Sequence, residues 1–271
     1  MIQSVARAAQ ILKALGGATP RLGVTEIADR VGLAKGTVHG LLRTLEGEGL
    51  VEQDPDTGKY QLGMAVFQLG GAVLENNQLR GRSLLWADGL ANRTRQSVRV
   101  VVLHGDHVVV VHHVFRPDDS VQILEVGASI PWHACALGKA VVANVPPARR
   151  SRLLAGPLTR LTGATQTDGE VLAGELDRVK DTGVAVDDQE AIVGEAGIAA
   201  AVFDASGEAV GAIGITGPVE RLVPDGPARQ LLAAVRETAR GLSRDLGARL
   251  TSLTTFRPFS SPPDPDEIRR P

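Results

Sequence analysis

The chain has 271 residues, 43% hydrophobic and only 3% aromatic, with a formal net charge of −2. That length suits two compact domains, or one large one, with cores built from Ala, Val, Leu and Ile. The charge balance excludes a general polycation, the single cysteine excludes an internal disulfide and fits a reducing cytoplasm, and no apolar run approaches the roughly 18 residues of a membrane span.

The N-terminal segment MIQSVARAAQILKALGG carries an apolar stripe at Val5, Ala8, Ala9, Leu12 and Leu15. This predicts an amphipathic helix stopped by Gly16 and Gly17, and not a signal peptide. VTEIADRVGL predicts a second helix, with Thr25 at its start, Ile27, Ala28 and Val31 facing inward, and Gly32 at its end. A tight turn leads into KGTVHGLLRTLEGEGL, where Val38, Leu41, Leu42 and Leu45 share one buried face. Lys35, Thr37, His39 and Arg43 fall on the other face. VEQDPDTGKYQL reads as strand, turn, strand.

Helix, short turn, helix and hairpin form a winged helix-turn-helix pattern. The start of its second helix would enter a major groove of operator DNA. Lys35, Gly36, Thr37, Val38 and His39 are the candidate contacts there, with Arg43 and Lys59 suited to phosphates and Thr25 a further DNA-binding candidate. The competing reading is a helical interaction module with a solvated charged face.

Residues 63 to about 96 are helical in period, with a break at Asn76–Asn77. From residue 97 the texture changes to β-branched runs. SVRVVVL and HVVVVHHVF flank a turn, and VQILEV predicts a third strand. ALGKAVVANV, PPARRSRLLAG and TDGEVLAGELDRVKDTG predict helices, the last capped by Thr167. GVAVDD, GIAAAVFD and AVGAIGIT predict further strands, the last two a hairpin across ASGE, and a long helix spans about 226 to 249. The fold class is therefore α+β, with a mostly antiparallel sheet in the second domain. The Pro- and Ser-rich residues 250–271 predict a disordered tail.

Five of the six histidines fall between residues 104 and 133, near Cys135. A nucleophilic cysteine needs a base nearby, but His133 lies only two residues from Cys135 at the start of an apolar helix. Adjacent His112 and His113 on a strand point to opposite faces and cannot share one ion. No pair has metal-ligand helix spacing, so neither a metal, a cofactor nor catalysis is expected. FRPDDS reads as a turn, with Asp118 or Asp119 bonding the backbone.

LAKGTVHGLLRTLEGEGLVEQDPDTGKYQLG, then PWHACALGKA, GIAAAVFD and GAIGITGP, occur in this order. Together they resemble the IclR family of bacterial transcriptional regulators over about residues 1 to 249. The resemblance implies a winged helix-turn-helix domain over 1–62, a linker helix over 63–80 and a GAF-like effector-binding domain over 81–249. It also implies a homodimer or tetramer on partly palindromic operators, and no enzyme activity. Within the family, VHHVFRPDDSVQILEVG is most similar to the glycerol operon regulators of actinomycetes. That similarity implies a repressor of glycerol catabolic genes relieved by glycerol 3-phosphate or glycerol. The alternative is another catabolic operon, for aromatic or sugar-acid degradation.

By motif, the effector pocket implied by the family falls on Ile130, Ala136, Leu137, Asp187, Gly197, Gly214 and Thr216. The N–H groups of Ala136 and Leu137 open a helix and so form an anion site. Gly197 and Gly214 stand where many members have cysteine and serine, which implies extra room. Gly40 stands where many have arginine, which implies a lost DNA contact. A phosphate would also need a cation, for which Lys139, His133 and Arg116 are the candidates; a solvated helix lysine is the plain reading of Lys139.

Overall fold

The computed structural model describes residues 2–17, 19, 21–118 and 122–249. They form two compact units that divide between Asn77 and Gln78. The tail expected over 250–271 lies outside the described residues.

The first unit contains α1 (Gln3–Leu15), α2 (Val24–Val31), α3 (Lys35–Gly47), β1 (Val51–Gln53), β2 (Tyr60–Leu62) and α4 (Met64–Glu75). Its core gathers Ile11, Leu15, Ile27, Val38, Leu42 and Tyr60 around the helix-turn-helix. The stripe of α1 is rotated from the expected one. Ile11 and Leu15 are buried, Ala8 and Leu12 flank them, and Val5 and Ala9 stay exposed.

Thr25 does not cap α2. Gly23 is the N-cap residue, and the Glu26 carboxylate reaches back to accept the Gly23 N–H at 2.7 Å. Gly32 ends α2 in the left-handed conformation, at φ 65°. The hairpin β1–β2 is antiparallel, and Asp54 Oδ1 holds its turn by accepting the N–H groups of Asp56 and Thr57. Helix α4 buries none of its residues within the described chain; Phe67 is 76% exposed.

The second unit opens with α5 (Gln78–Thr94), followed by β3 (Ser97–His104), β4 (His107–Val114) and β5 (Ser129–Pro131). A short 3-10 turn leads into α6 (Ala136–Val142), α7 (Pro147–Leu154) and α8 (Gly169–Thr182). Then come β6 (Ala185–Asp188), β7 (Glu195–Phe203), β8 (Ala209–Pro218), α9 (Val219–Leu222) and α10 (Arg229–Asp245). The six strands run antiparallel in the order β5-β4-β3-β8-β7-β6. Pleating assigns alternate residues to opposite faces. One face receives α6, backed by α8, over Val101, Ala199, Ala212 and Ala185. Helices α5 and α10 pack on the other.

Two local expectations differ. The third strand is Ser129–Pro131, and residues 122–125 of VQILEV are irregular. Side chains anchor that stretch in place of a ladder. Gln122 bonds the backbone N–H and C=O of Arg116, Glu125 pairs with Arg99, and Ile123 and Leu124 point outward. Asp168, and not Thr167, caps α8, accepting the N–H groups of Glu170 and Val171. Thr167 Oγ1 accepts instead from Arg160.

Candidate functional site

In the first unit, α3 starts without a side-chain cap, so the N–H groups of its first turn face solvent. Lys35, Gly36, Thr37, His39, Gly40 and Arg43 are all exposed along the same helix. Among the described residues, Lys35 and Arg43 have no ion-pair partner. Val38 corrects the expectation: its side chain has no solvent exposure and sits in the core, so it positions α3 and cannot touch a base. Thr25 is exposed in the first turn of α2. Lys59, on the wing, lies 3.4 Å from Glu26. A Cβ built at Gly40 meets nothing within 4 Å, so the larger residue of many relatives would fit.

In the second unit a cavity of about 210 Å³ opens between α6 and the sheet. Ile130, Ala136, Leu137, Asp187, Gly197 and Thr216 line it, so six of the seven expected positions converge. Strand register explains this. Thr216 pairs with Gly197, which pairs with Asp187, so adjacent strands place all three on one face.

Gly214 is the exception. It is not on the lining, and a Cβ there would lie 2.7 Å from the Ala199 Cβ and 2.6 Å from the Ile198 carbonyl oxygen. Its missing side chain permits close strand packing and adds no room. Nor does Gly197 leave space, because the Asp187 carboxylate occupies it; a Cβ there would be 2.4 Å from Asp187 Oδ2.

The helix start at α6 already carries a carboxylate on its first N–H group. Ala136 N–H donates to Asp187 Oδ2 at 3.0 Å, and Gly138 N–H donates to the Cys135 sulfur. Burial pushes the Asp187 carboxyl up to about 6, while the Ala136 N–H, Lys139 and Arg99 pull it back.

None of the three expected cations lines the cavity. Lys139 is wholly buried, not solvated, and donates to Glu175 at 2.8 Å and Glu190 at 2.5 Å. Burial pulls its pKa down, but the two carboxylates outweigh it and raise it. Burial pushes Glu190 up to about 7. His133 Nε2 meets the Thr159 carbonyl oxygen at 3.0 Å, and Arg116 engages Asp118. Asp118 also accepts from Arg221, so it bonds guanidinium groups; Asp119 lies outside the described residues.

The cation on the lining is Arg99 of β3, which sequence reading missed because it sits inside an apolar run. Its Nη2 donates to Glu125 at 2.6 Å, its Nε meets the other Glu125 oxygen, and Glu195 Oε2 is 3.9 Å away. Thr216 Oγ1 is buried without a hydrogen-bond partner among the described residues.

The histidine cluster disperses. His113 is buried and accepts the Glu125 N–H, His107 meets Asp106, and His112 lies on the opposite side of β4 from His113. No three metal-binding side chains converge among the described residues. Cys135 is buried, and burial pushes its thiol up to about 12, which disfavours the reactive thiolate.

A winged helix-turn-helix and a separate ligand-sized cavity define a DNA-binding transcriptional regulator. The chain belongs to the IclR family: residues 4–55 match the IclR helix-turn-helix domain, and residues 71–244 match the bacterial transcriptional regulator IclR C-terminal domain. It is 49% identical to the glycerol operon regulatory protein of Streptomyces griseus and 48% identical to that of Streptomyces coelicolor. Each match covers 91% of this chain and 97% of the relative. An IclR transcriptional regulator from Alicyclobacillus acidocaldarius has the same fold, with a TM-score of 0.78 at 28% identity, covering 90% of this chain and 98% of that one. No helix among the described residues is long and apolar enough to cross a membrane.

Proposed function

We propose that this regulator is a cytoplasmic, homo-oligomeric repressor of a glycerol catabolic operon, relieved when glycerol or glycerol 3-phosphate fills the cavity of the second unit. The observation that carries this reading is the near-half identity to two glycerol operon regulatory proteins across almost their full length.

Geometry supports the roles. The uncapped N-terminus of α3 supplies N–H groups to a phosphate, and Lys35, Thr37 and His39 are exposed beside it. Arg43 lies two turns further on the exposed face, placed for a second phosphate. Ligand would act by favouring one of two dimer geometries, and its effect is bounded by its differential affinity for them.

The test is fluorescence anisotropy of the full-length protein on DNA from upstream of the glycerol genes, with and without either compound, over a salt series. Preferential binding that a ligand weakens is expected. Arg43→Ala should weaken binding to every sequence and flatten the salt slope by about one. Equal affinity for unrelated DNA, or no response to either compound, would sink the reading.

A further inference from the structure

The charges around the cavity narrow the chemistry of its ligand. Two cations stand there, and both are already bound. Arg99 is held at two points by Glu125, and Lys139 by Glu175 and Glu190. The lining itself carries two acids, Asp187 and Glu195, against Arg99 alone among the described residues. An entering anion meets this surplus of carboxylates in a partly desolvated space, where like charges repel far more strongly than in water. Glu125 already neutralises the Arg99 charge, so an anion gains little net attraction from that cation.

Hydrogen-bonding capacity points the same way. The wall is rich in acceptors: the Glu195 carboxylate and the Asp187 oxygen not held by Ala136. Thr216 Oγ1, on a residue 7% exposed, is left without a partner. Buried polar groups need such partners. A molecule with several hydroxyls supplies donors to both acids and meets Thr216 with either a donor or an acceptor. Its C–H surface would lie against Ile130, Leu137 and Leu161, which also line the cavity. A cavity of about 210 Å³ admits a molecule of glycerol's size with space for ordered water.

We infer that the cavity selects an uncharged polyol of glycerol's size, held by Asp187, Glu195 and Thr216, and discriminates against its phosphate ester. The inference rests on the cavity being the effector site of the proposed repressor.

Titration calorimetry of the full-length protein at pH 7.5, in glycerol-free buffer, tests it with glycerol and glycerol 3-phosphate as the two probes. Glycerol should bind at least about tenfold more tightly. Glu195→Gln, at a half-exposed position, should weaken glycerol about tenfold and bring the two affinities closer together. Thr216→Val should weaken glycerol while leaving the charge balance unchanged. Tighter binding of the phosphate ester by the unmodified protein overturns the inference, as does an equal loss for both probes on Glu195→Gln. If neither probe binds, the inference also fails. Specific binding to the glycerol-gene DNA in the same sample would then keep the regulator of that operon standing, and loss of that binding would remove it too.

Discussion

Replacing Lys139 with methionine tests the buried charge cluster most directly. The ammonium has no solvent exposure and neutralises Glu175 and Glu190, whose side chains are only 22% and 12% exposed. Methionine fills similar volume, so packing loss is small and the stranded carboxylates dominate. Removing one partner of a buried pair costs about 3–5 kcal/mol. Glu175 is the more solvated acid and regains water, which places the expected loss at the low end, about 3 kcal/mol. For a unit of this size each kcal/mol lowers Tm by about 2–4 °C, so the C-terminal transition should fall by about 6–12 °C. Differential scanning calorimetry of the full chain reads this. At a pH well above 7, where Glu190 stays ionised without its partner, Lys139→Met combined with Glu190→Gln should recover part of the loss, because one of the two unpaired charges is gone. A single variant that loses under about 1 kcal/mol, or a double variant no more stable than the single, would refute the cluster as a coupled unit.

Other expectations follow from single contacts. Gly197→Ser forces the Asp187 carboxylate off the Ala136 N–H, so it should cost about 1–3 kcal/mol in chemical denaturation and diminish ligand binding. Gly40→Arg has open space; it should stabilise α3 by about 0.8–1 kcal/mol and steepen the salt dependence of DNA binding by about one unit of slope. Val38→Ala should destabilise the first unit by about 2 kcal/mol and reduce DNA binding only through unfolding, which denaturation and anisotropy together distinguish. Asp187 holds its proton more tightly folded, at about 6 against a usual 3.8, so its contribution to stability is complete at low pH and is lost as pH rises from about 4 through 6. The stability difference between the unmodified protein and Asp187→Asn should therefore shift by about 3 kcal/mol across that window in favour of the asparagine form at high pH; a constant difference would contradict it.

Much of the architecture was legible because its signals are local. Gly32 and the DPDTG turn punctuate the winged helix, and the β-branched runs from Ser97 mark the sheet. What escaped depends on contacts distant in sequence. Lys139 looks like a surface lysine until Glu175 and Glu190 arrive from α8 and from the loop after β6. Arg99 hides in a strand whose apolar spelling gives no hint of Glu125 beside it. Val38 was both a core and a DNA-contact candidate, and helix phase decides between them. Cap identity slipped at Thr25 and Thr167 because Glu26 and the neighbouring Asp168 take the N–H groups instead. The pocket positions converged because a two-residue period and sheet register carry them to one face, but whether a glycine there means space or close packing could not be read from spelling alone.

The chain's one cysteine offers a built-in clock. Cys135 is buried on the cavity wall, and its proton is held well beyond neutral pH. A thiol reagent reaches it through the cavity or when that wall opens, so the labelling rate of the native protein times access to that wall. No probe has to be engineered. A ligand seated in the cavity should slow the clock, while one bound elsewhere without stabilising the unit should leave it running at the same pace.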